Sequence, residues 1–244
     1  DGLPPIRLYD YQPSRGGYHA EEFLKGFSGY LTCDGFSGYN KLKDVIRCGC
    51  LAHMRRYWYD ALPGKSKKSP DKTPAEIGFD YCNQLFELEK EYADLDADTR
   101  KAKRLETEPA IWEAYWSWLE TVDPAGGSRL AKAVTYAKNQ KPYMENYLLD
   151  GRCSISNNIA ENIARPYAVG RKNFLFHDTV KGARASSIIY SLVETAKLNN
   201  LNIYAYLETV LLYMPDYKNE PEGIEELMPW SDMIQQRCRI ESKS

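Results

Sequence analysis

"GYLTCDGFSGYNKLKDVIRCGCLAHMRRYWYDAL", residues 29–62, alternates the two sequence periods from which layered folds are built. Its opening, "GYLTCDG" (29–35), has the composition of a strand and stops on Asp34-Gly35, so the acid sits at a strand's carboxyl end. "KDVIRCGC" (43–50) reads as another strand. Residues 51–62 then change to helical spacing, with Leu51, Met54, Trp58 and Leu62 on one face. Upstream, "IRLYDYQ" (6–12) is a further strand-like run closed by Pro13 and the "SRGG" turn, and "HAEEFLKGF" (19–27) is a short helix ending near Gly26. Strands alternating with helices predict an α/β layer over residues 1–62.

A Pro/Ser/Lys linker, "PGKSKKSPDKTP" (63–74), marks a change of character. From Ala75 to Leu95 the residues Ile77, Tyr81, Leu85, Leu88, Tyr92 and Leu95 recur at helical spacing. A second helix is expected around 99–121, with Trp112, Tyr115, Trp116 and Leu119 on a stripe, and a third around 128–148, interrupted at Pro142. Aromatics so placed read as bundle core. Residues 75–149 are therefore an all-helical insertion. Residues 150–214 return to the first part, with a clean helix over 182–200 whose buried stripe should be Ala185, Ile188, Ile189, Leu192, Val193 and Ala196. A short helix over 203–214 follows, and residues 215–244 form an acidic C-terminal element.

The 244 residues are long enough to bury a substantial core, and no apolar run reaches the roughly 18 residues that a membrane span needs. The start, "DGLPPIRLYDYQP", has no initiator Met and reads like the middle of a longer protein. Six thinly spread cysteines suit a reducing cytoplasm better than a disulfide framework. Cys48, Cys50 and His53 could suggest zinc, but C-x-C-x-x-H lacks a nearby fourth ligand and the usual cysteine spacing. Charge is segregated beneath a net of −2. Residues 1–70 carry 11 Lys and Arg against 7 Asp and Glu, residues 71–123 carry 6 against 14, and residues 151–207 carry 7 against 3. Two basic stretches flanking an acidic middle permit a polyanionic partner, although charge runs are usually solvated surface.

Two carboxylates stand out by position. Asp34 precedes the loop "GFSGYN", and Glu161 falls in the first turns of a helix that Ser156, Asn157 or Asn158 could cap. Each has an ordinary reading: a turn acid beside glycine, and an anion favoured near a helix N-terminus. His53 is equally a packed histidine at a helix start or a site residue.

Four segments in order, "YLTCDGFSGYN", "GCLAHMRRYWYDAL", "SNNIAENIARPYAVGRKNFLF" and "GARASSIIYSLVETAKLNNLNIYAYL", resemble the C-terminal half of an insertion-sequence 66 family transposase. "LYDYQPSRGGYHAEEFL" and "ELMPW" extend the resemblance over essentially the whole chain. The resemblance implies a ribonuclease H-like catalytic core, incomplete at its N-terminus, with an all-helical insertion. It implies a DDE enzyme that cleaves and joins double-stranded DNA at insertion-sequence ends through two bound Mg²⁺ (or Mn²⁺) ions. Asp34 matches the second acid and metal ligand, Glu161 the third, and His53 falls in the C-x-x-H element near such sites. The family's first catalytic Asp lies upstream of anything here, and Asp10 matches a later strand, so the chain alone is expected to be inactive. Arg55 and Arg56, and more strongly Arg165, Arg171 and Lys172, are the expected DNA backbone contacts. A homo-oligomer on DNA in the bacterial cytoplasm is expected, with no membrane. The alternatives are a DNA-binding or assembly module without catalysis, and an unrelated α/β hydrolase with one metal held by Asp34, Glu161 and His53.

Overall fold

The computed structural model describes residues 4–64, 71–174, 177–219 and 221–240, and the chain divides into two compact units. One is Gly16–Ile159; the other joins Asp1–Arg15 to Ala160–Ser244. The expected α/β character shrinks to a two-stranded sheet within a mostly helical chain. Much of the linker expected at 63–74 lies outside the described residues.

In the Gly16–Ile159 unit, α1 (Tyr18–Phe23) leads into β1 (Gly29–Cys33), which pairs in parallel with β2 (Val45–Gly49). The register runs from Gly29 opposite Val45 to Cys33 opposite Gly49. The crossover, residues 34–44, holds only a 3₁₀ turn (Ser37–Lys41), and Asp44 enters β2 in the left-handed region at φ 60°. Asp tolerates that region better than most residues. The helices of this unit after β2 are α2 (Leu51–Asp60), α3 (Pro74–Glu91), α4 (Ala97–Glu120) and α5 (Arg129–Met144). A two-stranded sheet is not stable alone, and here β2 packs against α5 and the 3₁₀ turn at Asn146–Leu149. Pro142, expected to interrupt, sits within the last turn of α5.

Local chemistry starts each of α3, α4 and α5. Thr73 and Glu76 form a reciprocal capping box before Pro74, Asp96 caps α4 through the Asp98 and Thr99 N–H groups, and Ser128 caps α5 through Ala131 N–H. The core combines Cys48 of β2 and Leu51, Met54 and Trp58 of α2 with Leu85, Trp112, Tyr115, Leu119 and Ala137 from α3, α4 and α5. At Gly78, α3 crosses Trp58 so closely that a Cβ would lie 2.5 Å from the indole. Arg104 is buried here. It meets both Glu89 carboxylate oxygens at 2.6 Å and donates to the carbonyls of Tyr147, Asp150 and Cys153, so a buried charge is fully partnered.

The second unit contains α7 (Val180–Leu198), α8 (Ile203–Tyr213) and α9 (Asp232–Cys238), around Ala196, Leu201, Tyr206, Val210, Ile234 and Cys238. Helix α6 (Asn158–Phe174) begins at the end of the first unit and continues into this one. The strand expected at 6–12 does not form as such. The segment takes no regular secondary structure, and its backbone bonds to side chains of α7 instead of to another strand. Thr195 Oγ1 accepts Arg7 N–H at 3.1 Å and donates to Arg7 C=O at 3.0 Å, and Ser191 Oγ accepts Tyr9 N–H at 2.8 Å. Arg7 also pairs with buried Glu194 at 3.0 Å.

That contact corrects the stripe expected on α7. Ala185, Ile188 and Ile189 are exposed, and the buried positions are Ala183, Ser187, Glu194, Thr195 and Ala196. Apolar spacing pointed to one face, but the hydroxyl row needed by the 6–12 segment occupies the packed one.

Candidate functional site

Asp34 directly follows the last residue of β1 and is half-buried. Its Oδ1 accepts Phe36 N–H at 3.0 Å, which folds the turn and orients the carboxylate. Gly35 is where α5 reaches that turn. A Cβ there would stand 3.0 Å from Tyr136 Cε2 and 3.2 Å from Gln140 Nε2, which leaves room only for glycine without a shift. Tyr136 and Gln140, one helical turn apart, thus face the Asp34 turn together. Tyr136 also stacks on Tyr57 of α2, ring centres 4.4 Å apart. Tyr136 Oη and Gln140 Oε1 are buried with no hydrogen-bond partner. Burial pushes the Tyr136 phenol up, and Cys50, Tyr57, Asp34 and Cys33 reinforce the shift.

Cys50 and His53 sit at the start of α2, just past the carboxyl end of β2. Burial alone would raise the Cys50 thiol. Hydrogen bonds from the His53 side chain, Asn157 N–H and the His53 backbone outweigh it and hold the thiol below its ordinary range. Cys48 instead hydrogen-bonds Cys153, which pushes the Cys48 thiol up. The cysteines of the C-x-C pair therefore have different partners, and all six cysteines are free thiols.

The segment before α6 is tied to these same elements. Leu51 N–H donates to Ile155 C=O at 3.0 Å, Thr32 Oγ1 to Ser154 C=O at 3.4 Å, and Asn157 N–H to Cys50 Sγ at 3.4 Å. Of the three residues that could cap α6, Asn157 does not: its Oδ1 is buried and accepts nothing. Glu161 lies in the first turn of α6 and is exposed, as are Arg165 and Lys172. At about 100° per residue, these three fall within about 40° of one another on one face of the helix. Arg171 lies on the same helix, with its side chain outside the described part.

On α2, Arg56 is exposed. Arg55 donates Nε–H to Asn83 Oδ1 at 2.6 Å and lies 4.4 Å over the Phe79 ring, which ties α2 to α3. Asp34 offers the hard oxygen that Mg²⁺ or Mn²⁺ prefers, whereas neighbouring Cys50 and His53 are softer donors. Among the described residues no three His, Cys, Asp or Glu side chains come together as a metal cage. Nor is any described helix long and apolar enough to cross a membrane. Sequence reasoning missed Tyr136, Gln140 and the Cys50–Asn157 bond. Tyr136 and Gln140 are polar positions of a helix read as bundle core, and nothing in their local spacing indicates a neighbour a hundred residues upstream.

The family model described as "Transposase IS66 family" matches residues 1–185, and "IS66 C-terminal element" matches residues 191–230. Similar curated proteins come from Sinorhizobium fredii. "Uncharacterized protein y4qI" is 32% identical over 241 residues, which is 93% of this chain and 43% of that protein. "Uncharacterized protein y4jD" is 30% identical over 239 residues, 93% of this chain and 46% of that protein. The chain thus spans less than half the length of these relatives. No solved structure matches it.

Proposed function

The chain belongs to the IS66 family of transposases, and from that premise we propose that it carries two acids, Asp34 and Glu161, of a DDE strand-cleaving and strand-joining centre. One observation supports this most: a half-buried carboxylate, oriented by its own turn, stands at the carboxyl end of a strand in a parallel pair. Ligands of open parallel sheets gather at that end. On this reading β1, β2 and α2 belong to a ribonuclease H-like core interrupted by α3, α4 and α5.

Divalent ions, when bound by Asp34 and Glu161, would activate the attacking water or 3′-hydroxyl and stabilise the leaving oxygen. The chain's own residues do the rest. The Phe36 N–H bond fixes the Asp34 carboxylate. The Cys50 contact holds His53 at the start of α2, where its ring orients a water or a phosphate oxygen. Arg165, Arg171 and Lys172, with Arg56, hold the DNA backbone, while Arg55 braces α2 against α3. The protein would act on chromosomal DNA in the cytoplasm, as a homo-oligomer pairing two ends.

A second reading, a DNA-binding or assembly module without catalysis, rests on the exposed Arg165 and Lys172 of α6. The test compares the 244-residue chain with its full reading frame on insertion-sequence end DNA and Mg²⁺. The expected result is binding without cleavage by the chain, and cleavage by the full frame that Asp34→Asn or Glu161→Gln abolishes. Undiminished cleavage by either variant overturns the DDE reading; cleavage by the chain alone overturns its expected inactivity.

A further inference from the structure

The helical insertion contributes more than packing to the region around Asp34. Helix α5 approaches the Asp34-Gly35 turn within 3.2 Å of where a side chain would begin, through Tyr136 and Gln140. Gln140 is 8% exposed, yet its Oε1 has no hydrogen-bond partner. The Tyr136 hydroxyl is likewise buried and unpaired, although the ring is held by its stack on Tyr57. Buried polar atoms are rarely left unsatisfied, because each loses its water without compensation. Two such atoms, one helical turn apart on the side chains that meet the Asp34-Gly35 turn, form a preorganised set of hydrogen-bonding groups awaiting a polar ligand.

We propose that Tyr136 Oη and the Gln140 carboxamide are substrate-binding groups of the Asp34 site, supplied by the insertion, and that they engage the scissile phosphodiester and the water that attacks it. This rests on the transposase reading of Asp34. A phenol O–H and a carboxamide N–H donate to non-bridging phosphate oxygens, while Gln140 Oε1 accepts from water. Neither group carries charge, so neither adds to general DNA attraction. Their contribution appears where the phosphate is positioned. Gly35 then has a functional reason as well as a steric one: a side chain there would push α5 away and separate both groups from Asp34.

The test uses Tyr136→Phe and Gln140→Met, two near-isosteric changes, with Asp34→Asn as control. In the full reading frame with Mg²⁺, each variant should cut end DNA about tenfold or more slowly than wild type. Affinity for duplex DNA should stay within about twofold, since no charge changes. In the 244-residue chain, Tyr136→Phe should leave the Tm unchanged or raise it, because it deletes a buried hydroxyl that bonds nothing. Wild-type cleavage rates in both variants, with Asp34→Asn inactive, overturn the proposal and leave the transposase reading standing. A Tm lowered by about 4 °C or more in Tyr136→Phe also overturns it, because the hydroxyl would then be a structural bond. Continued cleavage by Asp34→Asn removes the reading itself, and this proposal with it.

Discussion

Glu108→Gln should change how the stability of the helical unit depends on pH. Glu108 lies on α4 and is completely buried; its Oε2 accepts from Tyr147 Oη, which in turn accepts from Trp112 Nε1 at 3.1 Å. Burial raises its carboxyl to about 8, aided by the neighbouring Glu89 carboxylate and opposed by the Tyr147 bond and Arg104. The folded value therefore stands above the ordinary 4.5. A raised acid binds its proton more tightly in the folded state. Its stabilising contribution is complete below about pH 4.5 and is lost as pH rises through about 8. At about 1.4 kcal/mol per pKa unit, the loss over that window is of the order of 5 kcal/mol. That is a large share of the roughly 5–15 kcal/mol that holds a domain folded. Glutamine imitates the protonated acid and cannot ionise. Urea unfolding of wild type and variant at pH 5, 7 and 9 measures the difference. Tryptophan emission is a suitable probe, because Trp58, Trp112, Trp116 and Trp118 all lie in or against the core of this unit. The variant should be within about 1 kcal/mol of wild type at pH 5 and more stable than it by a few kcal/mol at pH 9. Parallel stability curves would refute a neutral, buried Glu108.

Two further outcomes concern the other unit. Ser191→Ala with Thr195→Val removes the hydroxyls that hold the 6–12 segment along α7; the double variant should lose roughly 2 kcal/mol, and the Arg7 and Tyr9 amides should exchange hydrogen faster by NMR. Unchanged exchange would mean that the segment is held by other contacts. Arg165→Ala with Lys172→Ala, on the Glu161 face of α6, should weaken binding to duplexes of any sequence. The salt dependence should fall by roughly one unit of slope for each phosphate the variant no longer neutralises; an unaltered slope would remove that face from the interface.

Much of the helical architecture was legible in the sequence, because its signals are local. The Thr73-Pro74-Glu76 cap, Asp96 and Ser128 each stand within three residues of the N–H groups they satisfy. The aromatic stripe of α4 shows its burial through spacing alone, and Trp112, Tyr115, Trp116 and Leu119 are all in the core. Long-range pairing was not legible. Residues 6–12 have strand composition, but they form no strand, and their partner is a row of hydroxyls about 180 residues away. The same hidden row misled the reading of α7, where Ile188 and Ile189 match an apolar stripe and yet are 60% and 52% exposed. At the candidate site, Asp34 was visible because a strand ends beside it. Tyr136 and Gln140 were not, because only the close approach at Gly35 brings them there.

Helices α3, α4 and α5 are bound into this unit at two levels. A pair of five-residue strands buries too little apolar surface to persist by itself. Cys48 of β2 and Trp58 of α2 share one core with Trp112 and Tyr115 of α4 and Ala137 of α5. The unit also closes through Arg104, which grips the carbonyls of residues 147, 150 and 153 just before the chain turns into Ser154–Asn157. That segment is then fixed by Leu51 N–H, Thr32 Oγ1 and Cys50 Sγ. Ser154–Asn157 are therefore held by β1 and the start of α2, and the carbonyls just before them by buried Arg104. A shift of α5 would carry Tyr136 and Gln140 away from the Asp34 turn. A shared core with a fully bonded buried charge is the physical means of preventing that shift.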